Sequence, residues 1–187
     1  MRFFIALEIP DESKAQLERL QEKLKQIIPQ VRLTDNNKLH LTIVFVGEEP
    51  ENIKESLIQI IKKASLDISR FEVSPSYIDA FPGLNQPRTL WMAIEGDTDK
   101  LFILRERIKD GFEGMGLSID ERRYIPHIAI AKTNESFRLK KDQKIKLQQL
   151  TMESKFKPIR ISSIKLFESL PQGDFHIHNT LAKIPLT

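Results

Sequence analysis

The sequence predicts one domain of mixed helix and strand, folded as two similar lobes, and three observations carry that expectation. The chain has 187 residues, about one ordinary domain, and 40% of them are hydrophobic, enough to bury a core without disulfides or metals. Its apolar residues switch repeatedly between the period of a strand and the period of a helix. The order strand, helix, histidine-bearing strand occurs twice.

The elements follow in sequence. Phe3–Ile9 reads as a strand; Leu17, Leu20, Leu24, Ile27 and Ile28 then share one helix face, with Asp11 as the expected N-cap. Leu39–Val46 is a β-branched and aromatic run ended by Gly47, and Pro50 suits the first turn of a helix carrying Ile53, Leu57, Ile60, Ile61 and Ala64. Strands are expected at Phe71–Tyr77 and Thr89–Glu95. A helix from about Thr98, with Leu101, Leu104 and Ile108 on one face, should end at Gly111, Gly114 and Gly116. Ile125–Ala131, Ile159–Phe167 and Phe175–Ile184 are the remaining strands, with a short helix between Lys141 and Met152. No Pro/Gly/Ser linker separates the halves.

Composition bounds the chemistry. The absence of cysteine excludes disulfides, thiolate metal sites and a cysteine nucleophile, and fits a reducing compartment. The N-terminal apolar run is too short for a signal segment or a membrane span, so the expectation is a cytoplasmic protein with no membrane partner. The net charge of +3 is uneven: residues 1–93 hold 12 basic and 13 acidic groups, and residues 94–187 hold 17 and 13. Arg138, Lys140, Lys141, Lys144 and Lys146 set against Asp142 form a patch able to attract phosphates, although a solvated face is the commoner meaning of such a run.

Sliding the sequence by 87 residues without a gap places Phe4 on Trp91, Ala6 on Ala93, Leu7 on Ile94, Glu8 on Glu95, Leu17 on Leu104, His40 on His127 and Ile43 on Ile130. A duplication puts one histidine strand in each lobe, facing a shared cleft. Alternation gives His40 and Thr42 one strand face, about 7 Å apart, with Leu41, Ile43 and Phe45 on the core side. In the second strand the same alternation gives His127, Ala129 and Ala131 the site face. A lone histidine before an apolar strand is ordinarily a hydrogen-bonded structural residue. Two in matching places suit phosphodiester cleavage without a metal: one neutral imidazole takes a proton from the attacking oxygen, and one imidazolium protonates the leaving oxygen.

At this point the chain resembles the 2H phosphoesterases, and within them the RNA 2′,3′-cyclic phosphodiesterases formerly called 2′-5′ RNA ligases. The resembling segments are Arg2-Phe3-Phe4-Ile5-Ala6-Leu7, Asn37-Lys38-Leu39-His40-Leu41-Thr42-Ile43 with Phe45-Val46-Gly47, Phe81-Pro82, Pro87-Arg88-Thr89-Leu90-Trp91, Arg123-Tyr124-Ile125-Pro126-His127-Ile128, and Leu166-Phe167-Glu168-Ser169 with Gly173. The resemblance implies an α+β, bilobal, pseudo-two-fold domain spanning 1–187, with two antiparallel sheets around a central basic cleft and helices outside. It implies His40 and His127 as the catalytic pair, no cofactor and no metal. RNA 3′ ends or nucleoside 2′,3′-cyclic phosphates are the implied substrates, and a monomer is expected.

Two departures stand out. Ala129 occupies the position of the second motif's hydroxyl residue, and Lys132 stands where an arginine is common. His176 stands where an aromatic residue, usually Tyr, is expected after Gly173. The phosphate is assigned to Thr42, Arg123 and the strand position of Ala129. The rest of the substrate is assigned to Tyr124, His176 and Lys132, the last on the opposite strand face. Arg88 and Arg122 read as surface ion-pair residues, and Trp91 reads as core before platform.

Two other readings compete. Asp174, His176 and His178 alternate along the last strand in a spacing that metals use, which supports a metal-dependent hydrolase. The altered second motif together with the Arg138–Lys146 patch supports a weakly active or non-catalytic RNA-binding relative.

Overall fold

In the computed structural model, which describes residues 1–120 and 122–187, the two repeats supply one strand pair to each of two antiparallel sheets. The elements are β1 (Arg2–Glu8), α1 (Asp11–Ile27), β2 (Arg32–Leu33), β3 (His40–Glu48), α2 (Lys54–Ala64), β4 (Phe71–Phe81), β5 (Thr89–Gly96), α3 (Thr98–Glu113), β6 (His127–Lys132), α4 (Lys141–Glu153), β7 (Ile159–Ile161), β8 (Ser163–Gln172) and β9 (Phe175–Pro185). One sheet has the order β3-β1-β8-β9 and the other β2-β6-β5-β4-β7. This is an α+β fold. Among the described residues no helix is long and apolar enough to cross a membrane.

The starts of β1, α1 and β3, at residues 2, 11 and 40, recur 87 residues on as the starts of β5, α3 and β6, at 89, 98 and 127. The helices, however, change partners. α1 follows a strand of the four-stranded sheet but packs with α4 on the five-stranded one, against β6, while α3 follows β5 and packs with α2 on the four-stranded sheet, against β3. Leu17, Leu20 and Leu24 of α1 and Leu101, Leu104 and Ile108 of α3 are the buried stripes that make these contacts. The buried apolar cluster therefore runs from Phe3 to Leu186 through both repeats.

Several local expectations change. Pro10, with its fixed φ, caps α1 in place of Asp11, which forms the first turn. The run from Ile159 to Phe167 is broken into β7 and β8, which join different sheets. β2 is too short for its periodicity to be read. α3 continues through Gly111 and stops at Glu113. Gly111 serves the packing of α2 on α3: a Cβ there would stand 2.7 Å from Ile60 Cγ2, so only glycine admits Ile60 at this depth. Gly116, at φ +74°, makes the turn after the helix.

The main correction concerns strand alternation. Ile5 pairs with Val44 and Ala6 with Thr42, so Ile43 is an extra residue, a β-bulge in β3. Leu90 pairs with Ala131 and Trp91 with Ala129, so Ile130 is the extra residue of β6. Past each bulge the faces exchange. Val44 enters the core and Phe45, read as a core residue, turns out beside Phe4, where it is 64% exposed. Ala131 enters the core opposite Leu90, and Lys132, opposite Thr89, joins the face of His127 and Ala129.

Candidate active site

His40 opens β3 and His127 opens β6, the strands through which the two sheets approach one another. Each ring is fixed in the same way. His40 Nδ1 lies 2.5 Å from the Lys38 carbonyl and His127 Nδ1 lies 2.6 Å from the Ile125 carbonyl, in both cases two residues back. A carbonyl only accepts, so Nδ1 carries the proton in each neutral ring and Nε2 is left with its lone pair free.

The floor under each ring is aromatic, again in matching places. His40 packs on Phe4 of β1 at 5.1 Å between centroids, and His127 on Trp91 of β5 at 5.5 Å. Phe4 also stacks on Phe167 at 4.9 Å, and Trp91 on Phe81 at 4.8 Å. Trp91 is thus buried and also a wall of the site, and its indole N–H is the one buried side-chain group without a hydrogen-bond partner among the described residues. Burial lowers the His40 pKa below its ordinary value, and the charges of His127 and Lys14 lower it further, against the opposing Lys38 carbonyl. Burial likewise lowers His127, opposed by the Ile125 carbonyl.

The bulges are braced from the opposite repeat. Arg105 of α3 donates to the Ile43 carbonyl at 2.7 Å and to the Asp120 carbonyl at 2.9 Å, while its guanidinium lies 4.7 Å over the Tyr124 ring. The Tyr124 hydroxyl donates to the Thr42 carbonyl at 2.8 Å. In β6 the Ile130 carbonyl accepts from Gln21 Nε2 of α1 at 2.8 Å. Arg105 and Gln21 were not legible as site residues, because a lone polar residue on a helix reads as solvated surface.

The other sequence-assigned residues distribute as follows. Thr42 shares the His40 face, opposite Ala6, and Ala129 shares the His127 face, opposite Trp91. Tyr124 is occupied as a brace of β3. Arg123 is exposed and, with Arg105, Lys109, Arg122 and Phe102, lines a cavity of about 490 Å³ in the segment leading to His127. Arg122 is paired with Asp120, and Arg88 donates to the Asn134 carbonyl, so both are structural. Within the basic patch, Arg138 binds the carbonyls of Glu135 and Phe137, and Lys144 binds Asn85.

The last hairpin departs most from expectation. His176 is exposed at the outer end of this strand face, its Nδ1 3.2 Å from Ser169 Oγ, and His178, two residues on along the same face, lies edge-on to Phe4 at 4.8 Å and to His40 at 5.5 Å. Asp174, His176 and His178 do not converge: among the described residues no three His, Cys, Asp or Glu side chains form a metal-binding group. The nearby carboxylate of Glu8, opposite His40, is bound to Lys165 at 2.6 Å and Lys183 at 2.7 Å. Burial would raise its pKa, but those two ammonium groups and the Ser163 hydroxyl outweigh burial and hold it down at about 2.

The model of the 2′-5′ RNA ligase superfamily matches residues 9–172 of this chain. The chain belongs to this superfamily. Within the superfamily it is 29% identical over 182 residues to the RNA 2′,3′-cyclic phosphodiesterase of Methanocaldococcus jannaschii, covering 94% of this chain and 96% of that one. The crystal structure of TT0787 of Thermus thermophilus superposes with a TM-score of 0.79 at 20% identity, covering 100% of this chain and 98% of the other. Escherichia coli LigT complexed with 3′-AMP superposes with a TM-score of 0.75 at 18% identity, covering 100% and 98%. Both structures share this chain's fold over its whole length.

Proposed function

We propose that this superfamily member is a metal-independent RNA 2′,3′-cyclic phosphodiesterase that opens a terminal cyclic phosphate to a 2′-phosphomonoester. The observation that carries the reading is the matched tethering of His40 and His127 on facing strands, each with Nδ1 donated to a carbonyl and Nε2 left to exchange protons. The relative from M. jannaschii named for this activity supports the substrate class.

In the reaction, His127 takes a proton from water as the water oxygen attacks phosphorus. The P–O3′ bond breaks, and His40, protonated beforehand, delivers its proton to O3′. The products are a 2′-phosphomonoester, a free 3′-hydroxyl and a pair of imidazoles whose protonation has exchanged. Thr42 donates to a non-bridging oxygen. Arg123 and Lys132, the latter brought to the site face by its bulge, offset the phosphoryl charge. The protein acts as one bilobal domain and a monomer, on RNA 3′ ends or nucleoside 2′,3′-cyclic phosphates, in the cytoplasm.

The test is incubation of chelator-treated protein with adenosine 2′,3′-cyclic phosphate and identification of the product by phosphorus NMR. Adenosine 2′-monophosphate is expected, with His40→Ala and His127→Ala both inactive yet folded by circular dichroism. Binding of the cyclic phosphate without turnover favours instead the weakly active relative suggested by Ala129.

A further inference from the structure

We propose that His178 is a third working imidazole of this site, donating a ring N–H to the phosphoryl group held between His40 and His127. The proposal deepens the reading above and rests on it.

Position is the first argument. Phe167 stacks on Phe4 on the site face of the four-stranded sheet, and Ser169, two residues further along β8, points the same way. His178 is the register partner of Ser169 in β9, so it stands on that face as well. Its ring centroid is 5.5 Å from that of His40, with the planes at 79°. A phosphoryl oxygen within hydrogen-bond reach of His40 Nε2 is therefore within a ring's width of His178.

Unused bonding capacity is the second. His178 is half-buried, and among the described residues neither of its nitrogens has a protein hydrogen-bond partner; its neighbour His176 is engaged by Ser169. Half-buried polar groups facing a cleft are ordinarily satisfied by water or by a ligand. Phe4 and Phe167 hold the ring from below, so its orientation is set by packing and needs no polar tether.

Charge is the third. Burial lowers the His178 pKa to about 4, and the charges of His40, Lys38, His176 and Lys132 all act in the same direction. The acidic groups on hand are committed: Asp35 pairs with Lys38 at 3.2 Å, and Glu8 with Lys165 and Lys183. A spot ringed by cations, without a carboxylate of its own, favours an incoming anion. A cyclic phosphodiester presents two non-bridging oxygens; Thr42 serves one, and Ala129 has no hydroxyl for the other. His178 supplies the missing donor from the opposite sheet.

The experiment compares wild type, His178→Phe and His178→Asn in two assays: hydrolysis of adenosine 2′,3′-cyclic phosphate, and calorimetric binding of adenosine 2′-monophosphate. Phe keeps the ring on Phe4 and removes both nitrogens, and Asn keeps a neutral donor. The expected result is a loss of about 30-fold in kcat/KM for His178→Phe, carried mostly by kcat, with about tenfold weaker monophosphate binding and partial recovery of both in His178→Asn. Adding Ala129→Thr should help His178→Phe more than it helps wild type. If His178→Phe stays within twofold of wild type in turnover and in monophosphate affinity, at an unchanged melting temperature, the proposal is overturned while the two-histidine reading stands. If wild type opens no cyclic phosphate, that reading fails, and equal monophosphate binding by wild type and His178→Phe then overturns the role of His178 too.

Discussion

Ile43 and Ile130, 87 residues apart, are each the extra residue of a β-bulge three positions after a histidine, and each offers its carbonyl to a side chain from the other repeat's helix. A bulge bends its strand and leaves backbone groups without ladder partners. Arg105 supplies the donor to the Ile43 carbonyl, Gln21 adds a second donor to the Ile130 carbonyl beside the Thr34 N–H, and each ties the bend to the helix behind it. The placement of both imidazoles thus depends on contacts that cross between the repeats.

Removing one of these ties tests that dependence. Arg105→Met leaves the Ile43 carbonyl without its donor and uncovers the Tyr124 ring, at an expected cost of about 1–3 kcal/mol in urea unfolding. Since Thr42 adjoins the bulge, kcat should fall more than stability alone explains, while a truncation at exposed Met152 should change neither. An Arg105→Met protein with full turnover would separate the brace from the site.

The pH dependence follows from the two imidazoles. The base must be neutral and the acid protonated, so activity requires a pH above the pKa of His127 and below that of His40. Burial lowers both below 6.5 in the free protein, which moves the optimum of kcat/KM to the acid side of 6.5. The alkaline decline reports His40 losing its proton. In kcat the bound phosphate anion raises both values, so that profile should lie at higher pH than the kcat/KM profile. Rates measured from pH 4 to 9 check this, and a kcat/KM maximum above 7.5 would contradict it.

Ala129 is opposite Trp91 on the site face and contributes no hydrogen bond. Ala129→Thr restores a donor two residues after His127, as Thr42 stands two after His40. The expected gain is about tenfold in kcat, less than the roughly 10²–10³-fold that a fully aligned oxyanion donor supplies. Steady-state hydrolysis of the cyclic nucleotide checks it; no gain would mean the phosphoryl group does not contact position 129.

Gly111→Ala separates helix propensity from packing. On an open helix face the change is stabilising by about 1 kcal/mol. Here the new Cβ meets Ile60, and overpacking of this kind costs about 1–3 kcal/mol, so thermal unfolding should show a net loss. Removing the obstacle with Ile60→Ala in the same chain should return part of that loss, whereas Ile60→Val, which keeps both γ carbons, should not; that difference is the signature of a direct contact in a double-mutant cycle.

Much of this was legible in the residues. Periodicity located nearly every strand and helix, and the 87-residue offset alone pairs Phe4 with Trp91 and His40 with His127, the residues that share one geometry in the fold. What stayed hidden has physical causes. Strict alternation cannot register an inserted residue, so it put Phe45 in the core and Lys132 on the far face. Helix stripes record that a face is buried without recording which sheet buries it, and so the exchange of α1 and α3 was invisible. His178 lay in a run of alternating polar residues whose direction depends on where β8 and β9 pair, and spacing alone made it a metal ligand or a solvent-facing residue. Gly111 looked like a helix stop because the residue that needs its missing side chain, Ile60, lies far away in the chain.

The exchange of helices between sheets has one more consequence. A chain cut between the repeats would leave β1 and β3 without α3 behind them, and β5 and β6 without α1. Each piece would keep one helix over its sheet, α2 or α4, and lose the one behind its histidine strand, so the two imidazole strands are expected to unfold together, as one event.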